Sequence, residues 1–297
     1  MSKVDSCIGF IGVGLMGKPM VKNLINDNYK VLTYDNNPAR LKEIKELGAQ
    51  TCKSVKEIAQ SANPIITMLP NSPESENVII GNKGIINYAK KDTIVVDMSS
   101  IDPNVSIKIG NKLKSKGIEF LDAPVSGGEP KAIDGTLAIM VGGQESVFEK
   151  VIPIFKTLGN YFILVGDIGA GNFTKLANQI IVAINIAAVS EALIFAKKAG
   201  LSPSNVLSAI KNGLAGSSVL DSKAPMMISK NFKPGGKINT HKKDMKNVLS
   251  VSTSLDIPLP LSAQLFEMLK SISILGDGEL DHSAIVKFYE NISGIKL

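Results

Sequence analysis

The chain has 297 residues, 44% of them apolar and 20% charged, the composition of an ordinary globular protein with length enough for two domains. A net charge of +6 admits a nucleic-acid partner, but the lysines are scattered among acids and no aromatic-rich basic stripe accompanies them. Small anionic ligands suit this mildly basic balance better, and no nucleic acid is expected. Cys7 and Cys52 are the only cysteines and His241 and His282 the only histidines. They argue against a disulfide scaffold and a metal site, and for a reducing cytoplasm.

In chain order, no basic stretch or cleavage site precedes the run CIGFIGVG, so no secretory signal is expected. Strand-like runs follow at Cys7–Ile11, Lys30–Tyr34, 64–68, 93–97, Glu119–Asp122, 137–141 and 162–165, with helical patterns between the first four. That alternation predicts βαβ units and a mostly parallel sheet. The Gly-rich stretch 166–171 ends the β pattern. Beyond it the chain reads as helical, with breaks at 200–203, 213–216, 234–236 and 258–260. The boundary is placed at 165/166. An α/β domain, 1–165, is thus expected to be joined through a long helix to an all-α domain, 166–297.

Gly12, Gly14 and Gly17 form G-x-G-x-x-G directly after the first strand, and a helix is predicted over 15–25. The first Gly allows the tight turn, the second the approach of a pyrophosphate, and the third close helix–strand packing. Leu15 and Met16 lie where free N–H groups at a helix start bind phosphate. Asp35 ends the second strand at the spacing of a ribose-binding acid. Together these predict a Rossmann dinucleotide site. Asp35 would repel a 2′-phosphate and favours NAD(H), whereas Arg40 nearby leaves NADP(H) open. A turn-capping role for Asp35 within YDNNP is the competing reading.

The segment 122–137, DAPVSGGEPKAIDGTL, places a Ser-Gly-Gly turn after a strand. Backbone N–H groups of Gly127 and Gly128, with the Ser126 hydroxyl, can converge there on a carboxylate. Ser126 is not read as a hydrolase nucleophile, because no His lies nearby in sequence and the nucleophile-elbow pattern is absent. Lys175 then heads LANQIIVAINIAAVSEALIF, whose only charge is Glu191. Apolar positions surround that helix, which predicts burial on most sides. Desolvation there would disfavour the ammonium and ready Lys175 for proton transfer. Snorkelling to solvent is the alternative. Asn178 and Gln179 follow on the same face. The apolar part, 180–189, is interrupted by Asn185 and reads as short of a membrane span, so no membrane partner is expected.

The segments GFIGVGLMGKPM, DAPVSGGEPKAIDGTL and GDIGAGNFTKLANQ resemble the β-hydroxyacid dehydrogenase family, which includes 3-hydroxyisobutyrate dehydrogenase and is related to 6-phosphogluconate dehydrogenase. The resemblance spans essentially the whole chain. The runs ITMLPNSP, DMSSI, KLANQIIVAINIAAVSEAL, GLAGSSVLDSKAP and NFKPG are similar to the tartronate semialdehyde (2-hydroxy-3-oxopropionate) reductase subgroup. The resemblance implies a Rossmann domain, a long connecting helix and a helical domain, with Lys175 as catalytic acid/base. It implies Ser126, Gly127, Gly128 and an amide at Asn178 or Gln179 as substrate ligands. Leu69 and Pro70 would line the nicotinamide side, Ser100 would offer a hydroxyl to the cofactor, and Lys243 would lie near it with Asp244 as partner. Without the resemblance, Lys243 reads as part of a solvated patch with Lys242 and Lys246. Many members carry Asn-Asn where this chain has Asn178-Gln179, so Gln179 is a candidate to reach the substrate in place of the second Asn.

The expected reaction is NAD(P)H-dependent reduction of a small anionic semialdehyde, 2-hydroxy-3-oxopropionate, to glycerate, with no metal. Oxidation of 3-hydroxyisobutyrate or another β-hydroxyacid is the alternative within the family. A non-catalytic cofactor-sensing or nucleic-acid-binding module is the alternative outside it, against which the presence of Lys175 speaks. The apolar helix and the Met-rich run 224–228 predict surface that a homodimer or homotetramer would cover, as the family implies. His282 is read as a capping-region residue, and His241 is given no role.

Overall fold

The structure, a computed structural model, describes residues 7–297. The chain divides into two compact units, one running to Lys175 and the other Leu176–Leu297. In the first unit β1 (Cys7–Ile11), α1 (Gly17–Asn26), β2 (Lys30–Tyr34), α2 (Pro38–Glu46), β3 (Gln50–Thr51), α3 (Val55–Ser61), β4 (Ile65–Thr67) and α4 (Ser72–Ile80) follow one another. Then come β5 (Ile94–Asp97), α5 (Pro103–Lys114), β6 (Glu119–Asp122), β7 (Val125–Ser126), α6 (Gly128–Asp134), β8 (Leu137–Gly143), α7 (Glu145–Leu158) and β9 (Gly159–Gly166).

These strands form one sheet in the order β3-β2-β1-β4-β5-β6-β8-β7, with β9 pairing β8. Pairing is parallel from β3 to β6, whereas β8 runs antiparallel to β6 and β7. Both faces are covered, and the period of two is visible in the packing. Ile8, Phe10, Ile66, Val96 and Leu121 join the core cluster shared with Met20, Leu24 and Phe155. Their strand neighbours Ile11, Ile65, Val95 and Phe120 join the opposite cluster with Ile58, Ile79 and Ile109. Strand order reverses between β1 and β4, where Met68 N–H donates to the Ile11 carbonyl at 2.9 Å. That switch point opens the crevice in which open α/β sheets hold ligands. The short strands β3 and β7 have no counterpart among the sequence expectations; β8 and β9 are longer than expected.

The long helix α8 is Ala170–Lys198, so it begins inside the Gly-rich stretch read as the end of the β pattern, and Lys175 lies beyond its first turn instead of at its head. Position 171 within the helix requires glycine, because a Cβ there would come within 2.5 Å of the Asp122 and Met140 carbonyl oxygens. Among the described residues α8 is the one helix with the length and composition to cross a membrane, contrary to the shorter apolar span read from sequence. Half of its apolar window is buried inside the protein.

The second unit continues with α9 (Pro203–Ile210), α10 (Ser218–Ser229), α11 (Ile238–Ser254), α12 (Pro260–Ile272), a 3-10 turn at His282–Ile285 and α13 (Val286–Ser293). Ser202, within the expected break at 200–203, and Ser217, just past that at 213–216, cap α9 and α10 with their side chains, and Lys230, in the left-handed region at φ 58°, ends α10 before the 234–236 break. Buried Asp281 accepts from Lys223 at 3.0 Å and from the Gly235, Gly236 and Ser283 N–H groups, which fixes the PGG run. Burial alone would raise its pKa, but His282 and Lys223 hold it down at about 2. His282 opens the capped turn after Asp281, as expected, and its Nδ1 lies 2.9 Å from Nδ1 of His241, a pairing the sequence did not suggest.

Candidate active site

The fingerprint loop runs from the end of β1 into α1. Gly12 has φ +96°, and a Cβ there would sit 2.3 Å from the Met68 carbonyl oxygen. A Cβ at Gly17 would sit 2.0 Å from the Gly12 carbonyl oxygen, so packing within the unit requires both glycines. Gly14 differs. A Cβ there would meet nothing nearer than the Arg40 guanidinium at 3.6 Å. The protein's own packing does not need this glycine, whereas a pyrophosphate approaching the backbone does. The residues present therefore fit a dinucleotide. Leu15 and Met16 form the turn preceding α1, which starts at Gly17 and not at Leu15. Met16 packs on the core and Leu15 is largely exposed.

Asp35, almost fully buried, closes β2 beside this loop. One carboxylate oxygen accepts from Val13 N–H at 2.9 Å and the other from Asn37 N–H at 2.8 Å. The turn-capping role is thus real, and because each oxygen has a second lone pair it is compatible with the ribose-binding role expected from the sequence. Arg40 lies 3.6 Å from the same carboxylate.

Leu69 and Pro70 follow β4 across the switch point. Leu69 N–H donates to Ser99 Oγ at 2.8 Å, and Ser99 N–H in turn donates to Asp97. Ser99 is buried and holds this turn, while Ser100 beside it is partly exposed and stands where a cofactor hydroxyl is expected. Burial raises the Asp97 pKa against its hydrogen bonds from Ser99 and Thr67.

Ser126 ends β7, paired with Ala138 of β8, so the strand itself presents the hydroxyl. Gly127 at φ +133° and Gly128 at φ +67° then turn the chain into α6. A Cβ on Gly127 would strike the Lys131 side chain at 2.5 Å. The backbone therefore needs glycine at this turn.

Lys175 is 7% exposed, so it does not snorkel. Two residues that sequence reasoning missed hold the start of its helix. Asp122, at the end of β6, accepts from Gly169 N–H and Asn172 N–H, each at 2.7 Å. Asn172 Oδ1 accepts from Ile101 N–H at 3.0 Å, and its amide donates to Ser106 Oγ at 3.1 Å. A carboxylate at a helix N-terminus complements the dipole. Burial nevertheless pushes the Asp122 pKa up to about 6. The only hint in the sequence was that both residues lie in segments carrying the family resemblance. The first unit thus contains the fingerprint loop, the Ser126–Gly128 turn and Lys175.

In the second unit the Asn178 amide donates to Gln179 Oε1 at 2.9 Å, and Gln179 Nε2 donates to Asp244 Oδ2 at 2.5 Å. The other Asp244 oxygen lies 2.7 Å from the Lys243 ammonium. Lys243 is mostly buried and ion-paired, unlike exposed Lys246, so the solvated-patch reading fails for it. Gln179 is bonded to Asp244, which bears on its expected reach toward a substrate. No group of three or more potential metal ligands occurs among the described residues.

Comparison with known proteins identifies the family. A family model for the NAD binding domain of 6-phosphogluconate dehydrogenase matches residues 7–166. One for the NAD-binding domain of NADP-dependent 3-hydroxyisobutyrate dehydrogenase matches 169–289. The chain is 41% identical over 290 residues to 2-hydroxy-3-oxopropionate reductase of Escherichia coli, covering 98% of this chain and 99% of that one. It is 35% identical to 2-(hydroxymethyl)glutarate dehydrogenase of Eubacterium barkeri, covering 98% and 97%. The solved structure of Mycobacterium tuberculosis 3-hydroxyisobutyrate dehydrogenase with L-serine superposes with a TM-score of 0.88 at 27% identity, covering 96% and 99%. The chain belongs to the β-hydroxyacid dehydrogenase family of NAD(P)-dependent oxidoreductases.

Proposed function

We propose that the chain is a 2-hydroxy-3-oxopropionate reductase that forms glycerate. The observation that carries the reaction type is Lys175, buried in α8 within the unit that also holds the dinucleotide loop and the Ser126–Gly128 turn. The 41% identity to the Escherichia coli reductase supports the choice of substrate.

When bound, the reduced nicotinamide supplies the hydride to the aldehyde carbon. The N–H groups of Gly127 and Gly128 and the Ser126 hydroxyl hold the substrate carboxylate. Leu69 and Pro70, fixed through Ser99, wall the nicotinamide side. Lys175 donates a proton to the oxygen as it becomes an alkoxide, and withdrawal from water strengthens that interaction. In the oxidative direction the neutral amine takes the proton back. Asp35 binds the adenosine ribose, which favours NAD(H), and Arg40 beside it admits NADP(H).

Oxidation of 3-hydroxyisobutyrate is the second reading, favoured by the superposition on the Mycobacterium enzyme. Steady-state rates with 2-hydroxy-3-oxopropionate and 2-methyl-3-oxopropionate, each with NADH and NADPH, separate the two. The proposal expects the higher kcat/KM for the 2-hydroxy substrate. A higher value for the 2-methyl substrate overturns it.

A further inference from the structure

Asp122 ends β6, and the chain runs on from it through Val125 to Ser126 and the glycine turn. Its carboxylate reaches back to the start of α8, where one oxygen accepts from Gly169 N–H and the other from Asn172 N–H, each at 2.7 Å. Lys175 follows Asn172 within one turn of that helix. The Asn172 side chain ties the same turn to Ile101 N–H, next to Ser100. The turn before Lys175 is therefore joined to the strand of the substrate turn and to the loop of Ser100, all within the first unit. Both bonds of Asp122 need the ionised carboxyl. Protonation makes one oxygen a donor, which then faces an N–H that also donates. The carboxyl cannot turn away, since it is fully buried and packed so closely on β8 that a Cβ at Gly142 would lie 2.4 Å from Oδ1. Around it, β5 brings Asp97, its partner in the strand pairing, and the first charged residue of α8 is Lys175. Asp167, in the turn before α8, is exposed, and β8 and the buried faces of α5 and α7 carry no charge. Burial and Asp97 favour the protonated form and the two N–H donors the carboxylate, and a pKa of about 6 leaves Asp122 ionised at neutral pH.

We propose that Asp122 is a positioning residue whose carboxylate holds Lys175 in place for proton donation, and that its protonation in mild acid frees the turn and slows hydride transfer. The inference rests on Lys175 as the proton donor and on no particular semialdehyde. Asp122 acts through the helix start and does not itself touch the substrate. A lysine that gives up a proton is only more fully protonated as pH falls, so by itself it imposes no loss of rate in acid. Loss of the Asp122 clamp does, because a small displacement of the donor is costly to a reaction that depends on its placement.

The test follows the single-turnover rate of NADH oxidation on both sides of pH 6 in wild type and Asp122→Asn, beside NADH binding, with 2-hydroxy-3-oxopropionate and 2-methyl-3-oxopropionate. Asparagine keeps one acceptor oxygen and presents an amide to the other N–H, so it reproduces the protonated state at every pH. Wild type is expected to lose about tenfold to a hundredfold in rate as pH falls through about 6. Asp122→Asn is expected to stay at the lower rate without that acid limb, and to bind NADH as wild type does. A carboxyl with only a structural role would move rate and stability together. Here they part: as pH rises through about 6 the wild-type rate rises, while its stability relative to Asp122→Asn falls. A wild-type rate that stays level below pH 6 overturns the proposal, and that measurement stands even if the variant does not fold. An acid limb that persists in Asp122→Asn also overturns it, since the limb then belongs to another group such as His241 or His282. The limb is expected with both semialdehydes, so a wrong choice of substrate does not imitate its absence. Failure of the proton-donor reading shows instead as near-normal turnover in Lys175→Ala.

Discussion

At Asp35 one carboxylate serves two tasks. It fastens the fingerprint loop through Val13 N–H and the following turn through Asn37 N–H, and on the proposed reading it also repels a 2′-phosphate. Arg40 partly neutralises it and reaches toward Gly14, where phosphate would lie. Asp35→Ser is therefore expected to raise the NADPH-to-NADH ratio of kcat/KM by about tenfold, a change of about 1.4 kcal/mol. The same variant should lower thermal stability because two backbone donors lose their acceptor. Arg40→Ala should shift the cofactor ratio the other way. An unchanged ratio in both variants would remove the pair from cofactor recognition. Asp35 and Lys175 were legible because each stands at a fixed distance from a motif or in an apolar run that isolates it. Asp122 and Asn172 were not, because they meet across 50 residues and a lone Asp carries no sign of its partner.

Among the elements, α8 shows how tertiary contact overrides local signals. Its Gly-rich start read only as the end of the β pattern, yet it is helical: Asp122 caps it, and β6 and β8 leave Gly171 no room for a side chain. The strands β1, β2 and β6 were legible to the residue as short β-rich runs, whereas β3 and β7 are two residues long and too short to give such a signal. Gly17→Ala is expected to destabilise by about 1–3 kcal/mol, since its Cβ would collide with backbone that cannot swing aside. Urea melts would measure this, and wild-type stability would contradict the packing argument. Asp122 binds its proton more tightly folded than unfolded, with a pKa of about 6 against an ordinary 3.8. Its contribution to stability is thus present below pH ~4 and is lost as pH rises through ~6, by about 3 kcal/mol. Unfolding free energies of wild type relative to Asp122→Asn should fall across that window. A flat difference would show that the carboxyl titrates as it does in the unfolded chain.

For the whole molecule, the sequence motifs were sufficient to indicate the Rossmann sheet, the helical second unit and the family, because glycine spacing and hydrophobic period report local geometry directly. The hydrogen bonds from Asn178 to Gln179 and from Gln179 to Asp244 were not readable, since they depend on which faces of α8 and α11 meet. Helix α8 also exposes Ile181 and Phe195, at 63% and 75%, although half of its apolar window is buried. Such surface supports a homodimer or homotetramer. Light scattering at micromolar concentration is expected to give a multiple of 31.6 kDa, and a monomer mass would contradict that proposal.

The central claim is that buried Lys175 is the proton donor. Turnover of 2-hydroxy-3-oxopropionate by Lys175→Ala, measured beside NADH binding to the same variant, tests it most directly. Binding close to wild type with kcat reduced by about 10²–10⁴ is the predicted result. Near-normal turnover with intact binding would contradict it.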